Sequence, residues 1–174
     1  MIFTGFKRKS NQIFFKKTLP NFLKTEHGSP FDTVKKVLVF FDDTIEKELV
    51  IKELATILKI SESDIKVVVF QRKLRKETEP DDVVTPKDFG WYGKNDNEKL
   101  KNILTNTYDL LINYSKVDNV YLNILILQCK AAFSVGFANM DKRLYDLLIK
   151  CKPDEIDLFH KELIKYLVIL KIVQ

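Results

Sequence analysis

Short apolar runs without polar alternation recur along this chain, and helical patterns separate them. They read VKKVLVFF at residues 34–41, IKVVVF at 65–70, YDLLINY at 108–114, FSVGF at 133–137 and YDLLIK at 145–150. Strands that lack alternation are buried on both faces, which is typical of parallel sheets covered by helices. The pattern predicts an α/β fold, a three-layer Rossmann-like sandwich of about five mostly parallel strands.

Helical periodicity predicts helices over residues 46–59, 98–104 and 119–132, and a final helix that begins near Pro153. The connection between the last two strands does not fit this scheme. Residues 138–144 are too few for an ordinary helical crossover. Either one turn of helix makes the crossing, or the last strand runs antiparallel at an edge of the sheet.

Positive charge is concentrated at the amino terminus. The chain carries a net charge of +5, and residues 1–24 contain six Lys or Arg and no acid, which leaves a net −1 on the rest. A local basic block points to an anionic partner more directly than a basic total does. We predict a basic amphipathic helix over residues 2–18, broken near Pro20, within an arm of residues 1–24, followed by a single domain over 34–174.

This arm has three interpretations. Cations interleaved with aromatic side chains fit contact with RNA, the ribosome or a protein partner. They also fit a helix on an anionic membrane surface, which we favour less. In the third interpretation the helix packs its Phe face on the sheet and leaves its lysines in water. The candidate contact residues are Lys7, Arg8, Lys9, Phe14, Lys16 and Lys17.

Ligands of open α/β sheets bind beyond the carboxyl ends of the strands, where Asp42, Asp43, Asn113 and Ser115 are predicted to lie. The segment VFFDDT at 39–44 resembles the D-x-D-x-T motif of haloacid-dehalogenase-like phosphatases. Its two acids are adjacent, so their side chains diverge and cannot share one Mg²⁺. We expect Asp43 or Thr44 to cap the following helix instead.

The polar stretch at residues 72–97 is the second candidate region, since loops of this length are often functional. Its second half holds the only Trp of the chain, Trp91, together with Tyr92 and Lys94. An aromatic and glycine-rich cluster of this kind is either a plug packed on the domain or a recognition surface. With the strand ends, Trp91 and Lys94 form the candidate ligand site.

Several site classes find no support in the motifs. The chain lacks the Gly-rich patterns of dinucleotide and P-loop sites. Its two His and two Cys are not spaced as the ligands of a metal site are. We therefore predict no catalytic residues, no cofactor and no metal. Asp109 and Asp146 precede their strands and are interpreted as polar strand termini. Cysteine usage and the absence of a signal-like or membrane-spanning segment favour a reduced, cytoplasmic protein.

Four segments carry a resemblance: PKDFGWYGK, YDLLINY, AAFSVGFANMDKRLYDLLIK and DLFHKELIKYLVIL. In them the chain resembles an uncharacterised family of small Bacteroidota proteins with a PKDFGW-x-GK motif, although Ser134 stands where that family has a basic residue. The resemblance implies an α/β fold and supplies no activity. A fainter similarity to the first half of heptosyltransferase-type glycosyltransferases implies only a related fold.

The favoured hypothesis is a non-enzymatic binding module whose arm contacts RNA, the ribosome or a protein. The alternative is a small-ligand-binding or transferase-like enzyme that uses the strand ends and the Trp91 loop. Neither the ligand nor the oligomeric state follows from the sequence.

Overall fold

The computed structural model describes residues 2–23, 33–42, 46–72, 82–94 and 98–173. Within them, six parallel strands form one sheet in the order β3-β2-β1-β4-β5-β6. The strands are β1 (Val37–Asp42), β2 (Ile65–Phe70), β3 (Val83–Val84), β4 (Thr107–Asn113), β5 (Lys130–Phe137) and β6 (Leu147–Ile149). The helices are α1 (Ile2–Phe22), α2 (Lys47–Leu58), α3 (Glu98–Thr105), α4 (Val120–Gln128) and α5 (Ile156–Ile169). The prediction of a Rossmann-like α/β fold is confirmed.

The sheet is built around β1. Its five apolar residues, 37–41, are fully buried, and the strand pairs with β2 on one side and β4 on the other. A strand hydrogen-bonded on both sides and covered on both faces has no position for a polar side chain except at its ends. This explains why the run carries no alternation and ends at Asp42.

Different helices cover the two faces of the sheet. Phe41 stacks on Tyr114 with ring centroids 5.4 Å apart, and Tyr114 contacts Phe159 of α5 at 5.0 Å. On the opposite face, Phe70 stacks on Tyr121 of α4 at 5.9 Å. Phe70 pairs with Asp42, the neighbour of Phe41, and successive residues of a strand point to opposite faces. Helices α4 and α5 therefore lie on opposite sides of the sheet.

Three local features differ from the predictions. A sixth strand, β3, lies inside the stretch predicted as a polar loop. Helix α4 ends at Gln128, and β5 begins at Lys130, because the segment predicted as helix to residue 132 pairs with β4 instead. Strand β6 runs parallel to β5, and turns rather than a helix make the crossing at residues 138–146.

Helix α1 also differs in its length. It continues through Pro20 to Phe22, so the predicted break near Pro20 is wrong, and Pro20 lies inside the last turn of the helix. Leu19 is buried, and α1 packs against α4. Among the described helices, none combines the length and apolar composition that a membrane crossing requires.

Asp109 and Asp146 have structural roles at the amino ends of their strands. The Asp109 carboxylate accepts hydrogen bonds from the backbone N–H groups of Lys35 and Lys36, both at 2.8 Å. The Asp146 carboxylate accepts from the backbone N–H of Ser134 at 2.8 Å and from its hydroxyl at 2.7 Å. Each acid therefore ties its own strand to the neighbouring segment, and the two do not form a pair.

The substitution Asp109→Ala is expected to destabilise the fold by about 1 to 2 kcal/mol, because it leaves two backbone donors without their charged acceptor. Urea unfolding followed by far-UV circular dichroism measures the change. The exposed Asp64→Ala serves as the control and is expected to change stability by less than about 0.5 kcal/mol. Equal stability of the two variants would contradict the proposed role of Asp109.

Candidate functional site

The strand order creates a topological switch point between β1 and β4. From this position the chain continues to β2 on one side and to β5 on the other, so the connections leave the sheet edge in opposite directions. Crevices at such points bind ligands in many α/β proteins. Asp42 ends β1 and Asn113 ends β4, and Ser115 follows two residues later. Asp43 and Thr44, with the predicted cap, lie outside the described residues.

The predicted strand-end residues hold the connection from β4 to α4. The Asp42 carboxylate accepts a hydrogen bond from the backbone N–H of Lys116 at 2.7 Å. The Asn113 side chain accepts from the backbone N–H of Ser115 at 3.0 Å and donates to the hydroxyl of Tyr145 at 2.7 Å. The switch point is thus internally hydrogen-bonded, and its polar groups fix the position of the loop.

Tyr145 is a member of this cluster that sequence reasoning missed. It comes from the β5–β6 crossover and is buried, and burial raises the pKa of its hydroxyl well above the ordinary value. Its ring packs on Gly136, where an added Cβ would lie 2.9 Å from ring atom Cε1. The signal in the sequence was Gly136, which pairs with Asn113 in the strand register and leaves room for an aromatic ring.

Two buried oxygens flank the same loop. The Oγ of Ser115 and the Oδ1 of Asn123 have no hydrogen-bond partner among the described residues. The Asn123 side chain also donates to the carboxylate of Asp118 at 2.9 Å. No group of three or more His, Cys, Asp or Glu in the described part of the chain is arranged to hold a metal ion.

A second polar chain lies on the other side of the sheet. The Tyr114 hydroxyl is 2.8 Å from Nε2 of His160, and Nδ1 of His160 is 3.5 Å from a carboxylate oxygen of Glu53. His160 is buried on α5, and burial lowers its pKa below the ordinary value of 6.5, although Asp157 opposes the shift. The neutral imidazole therefore joins α2, α5 and the end of β4.

The Trp91 loop is packed on the domain at one aromatic residue and exposed at two others. Phe89 is fully buried and packs on Tyr121 of α4 at 4.9 Å between ring centroids. Trp91 and Tyr92, in a short 3₁₀ turn (Trp91–Gly93), are exposed by 43% and 57%. The side chain of Lys94 is exposed as well. The loop is thus anchored through Phe89 and displays its other two aromatic side chains.

Asn11 of α1 holds this turn in place. Its side chain donates to the carbonyl of Gly90 at 3.1 Å and accepts from the backbone N–H of Gly93 at 2.8 Å. Gln128 of α4 donates to the carbonyl of Gly93 at 3.0 Å. Asn11 is fully buried, and sequence reasoning missed it because a polar residue on a basic helix is expected to face solvent.

The candidate contact residues of α1 lie on two sides of the helix. Phe14 is half-buried against Gly93, and Lys7 donates to the carbonyl of Lys87 at 3.3 Å. The remaining candidates are exposed, as are the apolar side chains of Phe6 and Ile13. These exposed candidates are Arg8, Lys9, Lys16 and Lys17. Cations and apolar groups are therefore mixed on the solvent face of α1.

Gly93→Ala is expected to destabilise the protein by about 2 to 4 kcal/mol, through a steric clash and a strained backbone. The φ angle of Gly93 is +71°, and an added Cβ would lie 2.3 Å from ring atom Cε1 of Phe14. The control is Gly5→Ala, since Gly5 lies in α1 with nothing near its missing Cβ. That change is expected to stabilise by about 0.5 to 1 kcal/mol. Chemical unfolding compares the two, and a neutral Gly93→Ala would contradict the contact.

Stability is expected to fall as the pH drops below about 6.5, because the unfolded chain then binds a proton at His160 that the folded chain does not. The loss is complete once the pH is below the lowered pKa of the folded state. Unfolding free energies between pH 7.5 and 5.5 measure it. His160→Gln should abolish this slope, whereas His27→Gln, at the other histidine, should retain it. The same slope in both variants would contradict the assignment to His160.

Comparisons with known proteins place this architecture in a family. A family model described as a family of unknown function (DUF6913) matches residues 7–170, from α1 to the end of α5. No curated protein and no solved structure matches the chain. The match includes the sheet, the Trp91 turn and most of α1. The chain therefore belongs to the DUF6913 family.

Proposed function

We propose that this protein is a binding module that contacts RNA through the solvent face of α1. The observation that carries the proposal is the placement of charge. All six cations of residues 1–24 are unaccompanied by any acid, while the rest of the chain carries a net −1. Lys9, Lys16 and Lys17 are exposed on α1, so this charge faces solvent. Phosphate groups are the partner that such a surface favours.

The rigidity of α1 supports the proposal further. Phe15 and Leu19 are buried, and Asn11 is bound to the Trp91 turn, so the helix is fixed before a partner arrives. A prepositioned helix binds without the entropy cost of ordering a flexible tail. Lys9 and Lys16 are two helical turns apart, about 10 Å along the axis, so they can contact different phosphates of one strand.

A membrane surface is a weaker match for α1. Helices that lie on bilayers present one continuous apolar face to the lipid. In α1 the buried Phe15 and Leu19 face the domain, and the exposed Phe6 and Ile13 stand among lysines. The outward face therefore offers alternating charge and apolar groups, which suits a polyanion better than an acyl layer.

The strand-end alternative, a small-ligand or transferase-like site, has less support. The side chains of Asp42 and Asn113 already accept hydrogen bonds from the backbone of the β4–α4 connection. The observation that favours a ligand there is the buried Ser115 hydroxyl without a partner among the described residues. Trp91 and Lys94 belong to the surface beside α1, because Asn11 of α1 bonds to Gly90 and Gly93, on either side of Trp91 and Tyr92.

The double variant Lys9→Gln/Lys16→Gln is expected to weaken RNA binding and to reduce its dependence on salt. Each lost phosphate contact lowers the slope of log K against log salt by about 0.7 for a single strand, so the pair should lower it by about 1.4. Fluorescence anisotropy with a labelled 20-nucleotide RNA at several salt concentrations measures both quantities.

The control is Lys52→Gln/Lys161→Gln, which removes two exposed charges from α2 and α5. It should bind RNA as the wild type does. Loss of binding in both double variants would show that only the total charge matters and would overturn the proposal. Binding to vesicles of phosphatidylglycerol without binding to RNA would overturn it in favour of the membrane surface.

A further inference from the structure

Two large aromatic side chains stand exposed beside the basic helix. Trp91 and Tyr92 are neighbours in the 3₁₀ turn, with 43% and 57% of their surface exposed. Isolated exposed aromatics are common, but an adjacent pair in a fixed turn forms a patch that indicates a binding surface. The fold of the loop does not require these two rings to be exposed, because neighbouring residues of the motif hold it in place.

Three residues of PKDFGWYGK that precede Trp91 have structural roles. The Asp88 carboxylate accepts from the N–H and the hydroxyl of Thr85, at 2.7 and 2.9 Å. Phe89 fills the core beneath α4. A Cβ on Gly90 would lie 2.8 Å from the carbonyl oxygen of Lys94, so a side chain there would collide with the backbone. These roles account for the fold of the loop without the rings of Trp91 and Tyr92.

The backbone at Tyr92 is strained. Its φ angle is 54° and its ψ angle 42°, the left-handed region that bulky residues rarely occupy. A residue with a side chain adopts this conformation only at an energetic cost, because its Cβ comes too close to a backbone carbonyl oxygen. Its backbone N–H donates to the Ser10 hydroxyl of α1 at 3.4 Å. Strain of this kind, held by neighbouring contacts, is characteristic of functional positions.

The turn and the basic face of α1 are continuous. Ser10, which contacts Tyr92, lies one turn from Phe6 and two turns from Lys17 on the same side of the helix, since residues three, four and seven apart share a face. Both Phe6 and Lys17 are exposed. The aromatic pair therefore lies next to Phe6 and Lys17, and Lys9 and Lys16 follow about a quarter of a turn further around the solvent face of the helix.

We propose that Trp91 and Tyr92 form a stacking platform for the bases of a single-stranded RNA whose phosphates lie along α1. This inference rests on the proposed function and names the form of RNA that is bound. In single-stranded RNA the bases can leave the stack and lie on aromatic rings, whereas a duplex keeps its base faces covered. Aromatic rings next to lysines match that partner in both chemistry and charge.

The test uses the full chain with oligo(U) of 20 nucleotides and a 20-base-pair RNA duplex. Trp91 is the only Trp, so its fluorescence reports directly on the turn. Oligo(U) is expected to quench it, and the duplex is not. Trp91→Ala should weaken oligo(U) binding about 5- to 150-fold, the range that stacking on one aromatic side chain supplies. The salt slope should stay unchanged, because no cation is removed.

Tyr166→Ala, at an exposed tyrosine of α5, is the matched control and should bind as the wild type does. If Trp91→Ala binds oligo(U) normally while Lys9→Gln/Lys16→Gln does not, the stacking platform is wrong and the proposed function stands. If the wild type binds neither RNA, both are wrong. Equal affinity for duplex and single strand at the same salt would also overturn the platform. Quenching of wild-type Trp91 decides the question even where a variant folds poorly.

Discussion

The central position of β1 is the constraint on which the rest of the structure depends. Its apolar residues are buried on both faces, and its backbone is paired on both edges. A strand in this position can have polar groups only at its ends. At each end of β1 an aspartate accepts hydrogen bonds from nearby backbone N–H groups. Asp109 holds the backbone before β1, and Asp42 at its carboxyl end holds the loop after β4. The same carboxyl end defines the switch point.

A second constraint joins the amino terminus to this sheet. Helix α1 has no acid in its first turn and includes Gly5, Pro20 and five Phe, which are poor or modest helix formers, so intrinsic helical propensity contributes little to its stability. Its order comes from packing on α4 and from Asn11, which bonds to the loop on both sides of Trp91. Helix and loop therefore stabilise one another. The proposed interaction surface is thus built on contacts that join the helix to the rest of the domain.

The sequence predicted the parts of the fold that local pattern controls. β2 was placed correctly because its apolar run is bounded by polar residues, and the two strand-end residues Asp42 and Asn113 do lie at neighbouring strand ends. The end of α4 was missed because residues 129–132 suit a helix as well as a strand, and only pairing with β4 decides between them. The direction of β6 was left open because residues 138–144 are too few for a helical crossover, and the structure makes the parallel crossing with turns instead.

The candidate surfaces show a similar division. Exposed lysines could be recognised from charge alone, since charge is a property of the local sequence. The bond from Asn11 to Gly93 joins residues 82 positions apart and leaves no local trace. Nor does any motif distinguish Phe89, which is buried, from Trp91, which is exposed, two positions later. Tyr145 belongs to the switch point only because β6 runs parallel to β5 and its crossover passes beside Asn113.

The contrast between the two candidate regions follows from how each satisfies its polar groups. At the switch point, side chains bond to the loop that they support, so a ligand would have to replace interactions that hold the fold. Beside α1, the structural bonds are made by Asn11, Ser10 and backbone groups, while the rings of Trp91 and Tyr92 and the outer lysines remain exposed. A partner can therefore bind there without disturbing the interactions that position the surface. That separation between the groups that build the surface and those that it displays is what favours α1 and its neighbouring turn as the place of recognition.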